Sequence, residues 1–275
     1  TPKELGATAF FAHSADLVAR MAAALGRTND AEQYGQLFAN IKKAFTQKYV
    51  SSDGVIAGSP GGADGALAEG NYALALEFGL LDEPLKTRAV AHLLAAIQAA
   101  HGHPTIGFWS TAGLLLALSA NGAHAQAARM LALETKPSWG YMAKHGTTFW
   151  ESFDADTKNL SLNHWTHSSV GEWLWRDIAG LNPDADHPGY ESFIIHPRRC
   201  DEVSWCRAEY ESVRGPIKVS WRRAGNQFQL DLTVPVTAAA VVYLPADNPA
   251  IVRESGRLAT TAEGVQWLRQ ENGET

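Results

Sequence analysis

The chain has 275 residues, 45% hydrophobic and 19% charged, a composition typical of a globular protein with one large domain or two ordinary ones. Its formal net charge of −6, without a basic run interleaved with aromatic residues, argues against nucleic acid as a partner. The longest apolar stretch, 111–118, is too short to cross a bilayer, so we expect no membrane partner.

The residues before about 180 follow the apolar period of amphipathic helices. Gly26 is predicted to end the first helix and Asp30 to cap the second. Predicted helices span residues 8–25, 30–45, 67–78, 84–100, 111–119, 123–133 and 168–178. Glycine-rich or aromatic loops, at 51–65, 101–109 and 137–150, lie between pairs of helices. Helix pairs with such loops on one side indicate an α/α toroid, and the predicted helices are too few to close a ring of six pairs.

After Pro188-Gly189 the pattern changes to short runs with an alternating period of two. Predicted strands span residues 192–195, 203–210, 217–222, 228–234 and 239–244. We therefore predict a helical domain over residues 1–187 and a small antiparallel β-sandwich over residues 188–275. Cys200 and Cys206 could pair across a hairpin or stay free. Neither the cysteines nor the start of the chain, which shows no signal-peptide pattern, decides between cytoplasm and periplasm.

The stretch 134–175 holds five of the chain's nine Trp residues, together with a carboxylate, Glu151, and an imidazole, His164, thirteen positions later. Aromatic rings cover the apolar face of a sugar while polar groups take its hydroxyls, so this combination indicates a carbohydrate-binding cleft. Glu151 could activate water for attack on an anomeric carbon, or it could be a glutamate at a helix N-terminus. The sequence leaves both readings open.

His164 could bind a sugar hydroxyl or be a half-buried histidine near a helix cap. His167 follows it at helical spacing, but no third ligand is evident nearby, so we predict no metal site. Trp109 is either a stacking wall or a core anchor of the helix that it precedes, and Trp139 and Tyr141 are open to the same two readings. Three acids in or beside the first glycine-rich loop read as solvated loop residues: Asp53, Asp64 and Glu69.

Several runs resemble one family, in family order and across nearly the whole chain. They include GNYALALEFGLL, ETKPSWGYM, GTTFWE, SLNHW, SVGEWLWRDIAGL and PGYESFIIHPR. On these runs the chain resembles the C-terminal half of bacterial α-L-rhamnosidases of glycoside hydrolase family 78. The resemblance implies the later part of an (α/α)6 barrel followed by a C-terminal β-sandwich.

The resemblance also implies an activity, the release of terminal α-L-rhamnose from a rhamnosylated glycoside or polysaccharide by an inverting mechanism without a cofactor. Glu151 matches the general base of the family, and His164 matches a residue that binds the rhamnose. Trp150 and Trp109 are expected to contribute to substrate binding.

The chain departs from the family at identifiable points. The family's general acid lies in an upstream acidic motif that should precede Thr1, and Ser152 and Phe153 stand where Arg and Trp often follow the base. The resemblance therefore implies a chain cut at both ends, whose exposed helix faces could associate with the missing barrel half or with a second copy.

Two alternatives follow from the same residues. The chain could be a non-catalytic carbohydrate-binding or assembly module that keeps the aromatic cleft without an acid. It could also belong to another toroid enzyme, such as a different glycosidase or a polysaccharide lyase, but no basic cluster near His164 supports a lyase.

Overall fold

The computed structural model describes residues 1–57, 68–246 and 248–269. The chain divides into two compact units, Thr1–Val170 and Gly171–Thr275. The first unit is helical and the second is mostly β-structure, so the predicted class of a mainly α protein with a β-domain is confirmed. The predicted boundary near residue 187 lies beyond this division and stays a prediction.

Helices fill the first unit, and most of them lie where the apolar periodicity predicts them. In the described part of the chain, α-helices α1 to α10 span Lys3–Ala24, Thr28–Tyr49, Ala68–Glu77, Leu85–Ala99, Thr111–Ala120, His124–Ala132, Trp139–His145, Ala155–Lys158, Trp165–Ser168 and Val170–Trp173. A short 3-10 turn, Phe108–Ser110, precedes α5.

The helices form an inner and an outer layer that follow from their composition. α5 is apolar on every side and is buried along almost its whole length, as a helix without a polar face must be. The outer helix α4 buries only one stripe, formed by Ala89, Leu93 and Ile97. Successive helices pack in pairs, α1 with α2, α3 with α4 and α5 with α6, which is the hairpin arrangement expected of a toroid.

The inner helices begin at a common end of the unit. Thr1, beside the start of α1, has its Oγ1 atom 3.5 Å from Oγ of Ser110, the residue before α5. Gly70, in the first turn of α3, lies between them, because an added Cβ there would stand 2.4 Å from Ser110 Oγ and 2.7 Å from Thr1 Oγ1. Only a residue without a side chain allows this close approach of three helix ends.

The structure corrects several local predictions in this unit. α2 begins at Thr28 with Asp30 inside its first turn, where Asp30 Oδ2 accepts from Arg27 Nε at 2.7 Å instead of capping the helix. The predicted loop 137–150 contains helix α7, because the Ser138 hydroxyl accepts the Tyr141 N–H and caps its start. The predicted start of α3 at Leu67 lies outside the described residues.

The second unit begins within α10, since the division follows Val170. A π-helical segment, Leu174–Ala179, comes next and replaces the end of the predicted helix 168–178. Its strands β1 to β8 span Leu181–Pro183, Ser192–Ile195, Trp205–Ser212, Gly215–Ala224, Gln227–Thr233, Ala239–Val242, Arg253–Glu254 and Arg257–Leu258. They form sheets in the orders β1-β2-β6, β3-β4-β5 and β7-β8. One pairing departs from the antiparallel prediction, since β2 and β6 run parallel with Phe193 opposite Ala240.

The core of the second unit follows the period of two along its strands. Ile217, Val219 and Trp221 of β4 are buried on one face, while Lys218 and Arg222, on the opposite face, are exposed. Cys200 and Cys206 are both free thiols, so the predicted option of a disulfide is not realised. Burial raises the pKa of both thiols.

Candidate functional site

Two short segments lie side by side near the end of the first unit and bring Glu151 close in space to the stretch that carries His164. The Glu151 N–H donates to the Ser161 carbonyl at 2.9 Å. The His164 N–H donates to the Phe149 carbonyl at 2.8 Å. A third bond joins the same segments, from the Thr148 hydroxyl to the Leu162 carbonyl. The ladder sets Glu151 opposite Ser161 and Phe149 opposite His164, so it holds the segment of Glu151 against the segment of His164.

The Glu151 side chain is half-buried and is held by the facing segment. Its Oε2 accepts the Ser161 backbone N–H at 3.1 Å, so the carboxylate is bonded on one oxygen. The nearest following helix, α8, begins at Ala155, and Glu151 therefore lies outside any helical first turn. The reading of Glu151 as a helix N-terminal glutamate is wrong, which leaves its carboxylate to be explained by the site.

His164 is the N-cap of α9 and its ring has a defined tautomer. Nδ1 accepts the Thr166 backbone N–H at 3.2 Å and lies 2.7 Å from the Thr166 hydroxyl. Because an N–H can only donate, Nδ1 carries the lone pair and the neutral ring carries its proton on Nε2. The Nε2–H is the group that could donate to a sugar hydroxyl.

Two exposed aromatic rings stand beside His164. The Phe108 ring lies edge-on to Trp165 with centroids 5.0 Å apart, and edge-on to His164 at 5.7 Å. Phe108 is 47% exposed and Trp165 is 64% exposed, although both are large apolar side chains. Exposed rings next to a polar donor are the surface that a pyranose ring can cover.

Phe108 was missed as a site residue by the sequence reasoning, which singled out its neighbour Trp109. Trp109 packs elsewhere, against Gly6 of α1 and edge-on to Phe10 at 5.9 Å. Phe108 and His164 are far apart in sequence, and only the packing of the turn before α5 against α9 brings them together. A role of Trp109 in substrate binding stays a prediction.

Trp150 is almost completely buried, with 3% of its surface exposed. Its ring lies edge-on to Tyr141 at 6.1 Å, and the two help to line a cavity of about 430 Å³ with Thr148 and Leu162. Trp150 therefore packs in the interior next to Glu151 and borders this cavity. Its predicted contact with substrate stays a prediction.

The acids beside the first glycine-rich loop have different environments. Asp53 is exposed and bonded to the Ser51 hydroxyl, as expected of a loop acid, and Asp64 lies outside the described residues. The expectation of a solvated acid is wrong for Glu69, which is fully buried in the first turn of α3. Its Oε2 accepts the Thr105 N–H at 2.8 Å, at the start of the loop that carries Phe108.

Burial raises the pKa of the Glu69 carboxyl, and the bond from Thr105 only partly opposes the shift. Oε1 of the same group is buried without a hydrogen-bond partner. Glu69 therefore anchors the loop that carries Phe108, although burial of its carboxyl group away from water lowers the stability gained from this bond. The sequence signal for the burial of Glu69 was the position of this acid inside the run AEGNYALAL, whose other residues are mostly apolar.

Metal ligation finds no support in the part of the chain that the structure describes. No group of three or more His, Cys, Asp and Glu side chains there is placed to hold an ion. His167, considered above as a partner of His164, has its Nδ1 bonded to the Trp150 carbonyl at 2.8 Å. No helix among the described residues is long and apolar enough to span a bilayer.

The chain matches two family models along most of its length. Residues 1–178 match the bacterial α-L-rhamnosidase 6 hairpin glycosidase domain, and residues 180–259 match the bacterial α-L-rhamnosidase C-terminal domain. The expected family, and the fold of a toroid part followed by a β-domain, are confirmed.

Relatives of known name support the same assignment. An α-L-rhamnosidase of Streptomyces avermitilis is 39% identical in an alignment of 272 positions, which covers 96% of this chain and 25% of that protein. One from Formosa agariphila is 30% identical in an alignment of 280 positions, gaps included, which covers 98% of this chain and 29% of that protein. The chain thus spans between a quarter and a third of the length of these relatives.

Solved structures agree. The crystal structure of the Streptomyces avermitilis α-L-rhamnosidase complexed with L-rhamnose superposes with a TM-score of 0.82 at 38% identity, over 93% of this chain and 26% of that one. Native α-L-rhamnosidase from Aspergillus terreus gives a TM-score of 0.81 at 28% identity, over 90% of this chain and 29% of that one.

Proposed function

This chain belongs to the bacterial α-L-rhamnosidase family, and from that premise we propose that it forms part of a glycoside hydrolase that releases terminal α-L-rhamnose. The substrate would be a rhamnosylated glycoside or polysaccharide. The observation that carries the proposal is the ladder between residues 149–151 and 161–164, which holds the Glu151 segment against the segment that carries His164.

Glu151 is the general base in this proposal. Its carboxylate removes a proton from a water molecule, whose oxygen attacks the anomeric carbon of the rhamnose as the glycosidic bond breaks. The departing oxygen takes a proton from a second carboxyl on the opposite face of the sugar. Attack from the face opposite the leaving group inverts the anomeric centre, so the released sugar is β-L-rhamnose. The Ser161 N–H on Oε2 leaves Oε1 to take the proton of the water.

The ring of His164 and the rings of Phe108 and Trp165 would hold the sugar. Nε2–H donates to a hydroxyl, while the exposed aromatic faces cover the apolar side and the methyl group of the rhamnose. Together, these interactions would orient the anomeric carbon toward Glu151.

We assign the general acid to a part of the protein outside these 275 residues. In an inverting enzyme the acid and the base stand about 6.5–9.5 Å apart with the water between them. The relatives are three to four times as long as the region that this chain matches, which leaves room for that group elsewhere in the whole protein.

The experiment that tests the proposal is the stereochemistry of the first product. The intact protein is mixed with an aryl α-L-rhamnoside, and the anomeric proton of the released sugar is followed by NMR before mutarotation. We expect β-L-rhamnose first and the α-anomer only later. Initial release of the α-anomer would show retention and would overturn Glu151 as the base of a single displacement.

The same experiment distinguishes an enzyme from a non-catalytic carbohydrate-binding module. A module would bind L-rhamnose in calorimetry without releasing the aryl group at any protein concentration. Because the ladder holds a partly exposed carboxylate against the segment that carries His164, we favour the enzyme.

A further inference from the structure

His167 is a buried histidine that the chemistry proposed above does not use. It lies on α9 one turn after His164, with 4% of its surface exposed. Its Nδ1 stands 2.8 Å from the carbonyl oxygen of Trp150, the residue directly before Glu151. A carbonyl oxygen only accepts, so Nδ1 carries the proton in this contact.

The His167 ring is fixed on several sides. The Phe153 ring lies edge-on to it at 4.2 Å between centroids, and the Trp139 ring is edge-on at 6.1 Å. Trp139 also donates its Nε1–H to the His167 backbone carbonyl at 3.0 Å. Burial lowers the pKa of His167, which keeps the ring neutral and its Nδ1–H in place as a directed donor.

α9 therefore bonds two successive carbonyls of the Glu151 segment. The backbone N–H of His164 holds the Phe149 carbonyl at 2.8 Å, and the side chain of His167 holds the Trp150 carbonyl at the same distance. The second bond acts on the peptide plane that joins Trp150 to Glu151. Rotation of that plane would turn the Cα–Cβ bond of Glu151 and move its carboxylate.

We propose that His167 is a positioning residue, which locks the Trp150–Glu151 peptide and so sets the direction of the Glu151 carboxylate toward the attacked carbon. This inference rests on the proposed role of Glu151 as general base. Catalytic groups must be held close to their productive geometry, and a displacement of about 1 Å can cost about 100-fold in rate.

Two substitutions of similar polarity test this role in the intact protein. In His167→Asn the amide nitrogen occupies the place of Nδ1 and can still donate to the Trp150 carbonyl. In His167→Gln the amide nitrogen falls nearer the place of Nε2 and cannot. With an aryl α-L-rhamnoside, we expect His167→Gln to lower kcat about 10- to 100-fold with KM nearly unchanged, and His167→Asn to keep kcat within about threefold of the parent.

Rates are expressed per mole of folded protein, and thermal unfolding is measured for both variants. His187→Gln, at an exposed histidine paired with Asp184 in the second unit, is the control and should leave kcat unchanged. A His167→Gln protein with parental kcat, or equal losses of kcat in the Asn and Gln variants, would overturn the proposal.

Trp139→Phe supplies a second test should the His167 variants fail to fold. It keeps a ring beside His167 and removes the bond to the His167 carbonyl, so a lowered kcat at unchanged KM supports the proposal and an unchanged kcat overturns it. Glu151→Gln distinguishes a failure of the proposed function from a failure of the positioning role of His167. If that variant keeps full activity, the proposed function fails, whereas an inactive Glu151→Gln beside a fully active His167→Gln refutes only the positioning role.

Discussion

The π-helical segment of the second unit depends on one tryptophan of the sheet, and Trp221→Phe measures that dependence. The last carbonyls of a helix have no partner within it. Here the Ile178 carbonyl accepts the Trp221 indole N–H at 2.7 Å, and the side chain of Trp221 is 5% exposed. Phenylalanine keeps a ring against Phe228 but leaves this buried carbonyl unpaired.

The expected cost follows from these two losses. An unpaired buried carbonyl costs about 1–3 kcal/mol, and the smaller ring gives up about 1 kcal/mol of apolar burial, so the free energy of unfolding should fall by about 2–4 kcal/mol. Urea unfolding followed by circular dichroism measures the change. The matched control is Trp205→Phe, on the neighbouring strand, where the side chain is 66% exposed and a change within about 0.5 kcal/mol is expected. Equal effects of the two substitutions would refute the reasoning.

Three further predictions address the site, its supports and the packing of the second unit. Glu69→Gln should remove a pH dependence of stability. Because the pKa of Glu69 is raised in the folded protein, the free energy of unfolding falls as pH rises from the ordinary glutamate pKa to the folded value. The unfolding temperature measured against pH should lose this slope in the variant. His164→Ala should lower kcat/KM about 3- to 10-fold through one lost hydrogen bond to the sugar, and a parental kcat/KM would contradict its role. Gly180→Ala should cost about 2 kcal/mol or more in urea unfolding, since φ is +80° and an added Cβ stands 2.3 Å from the Pro197 nitrogen. Gly256→Ala, at φ +82° with open space around it, should cost less.

The elements that the sequence predicts well are those whose signal is local. The run AEGNYALALE, in which apolar residues predominate, becomes α3, and the strict alternation of IKVSW becomes the buried and exposed faces of β4. Each of these patterns depends on spacing along one element, which is visible in the chain itself.

The parts that were missed depend on an unusual capping residue or on contacts between segments that are distant in the sequence. α9 begins where the His164 ring accepts the Thr166 N–H, and an imidazole is not among the usual N-cap residues. β2 and β6 pair in parallel although other strands lie between them in the sequence. Glu69 is buried because α3 packs beside α5, so its surroundings come from the tertiary structure and not from its neighbours in the chain.

The candidate site divides in the same way. Glu151 and His164 could be singled out from residue types, from their aromatic surroundings and from the family resemblance. The ladder that brings them together, the Phe108–Trp165 pair and the bond from His167 required the fold.

The central claim is that Glu151 is the base that activates water. The most direct measurement compares kcat for an aryl α-L-rhamnoside in the intact protein and in Glu151→Gln, with Glu172→Gln as control. Glu172 is an exposed helical residue paired with Arg176 at 3.1 Å, and its substitution should leave kcat unchanged. The account predicts a loss of about 10²- to 10⁴-fold for Glu151→Gln with the fold intact. Activity of Glu151→Gln near that of the parent would contradict it.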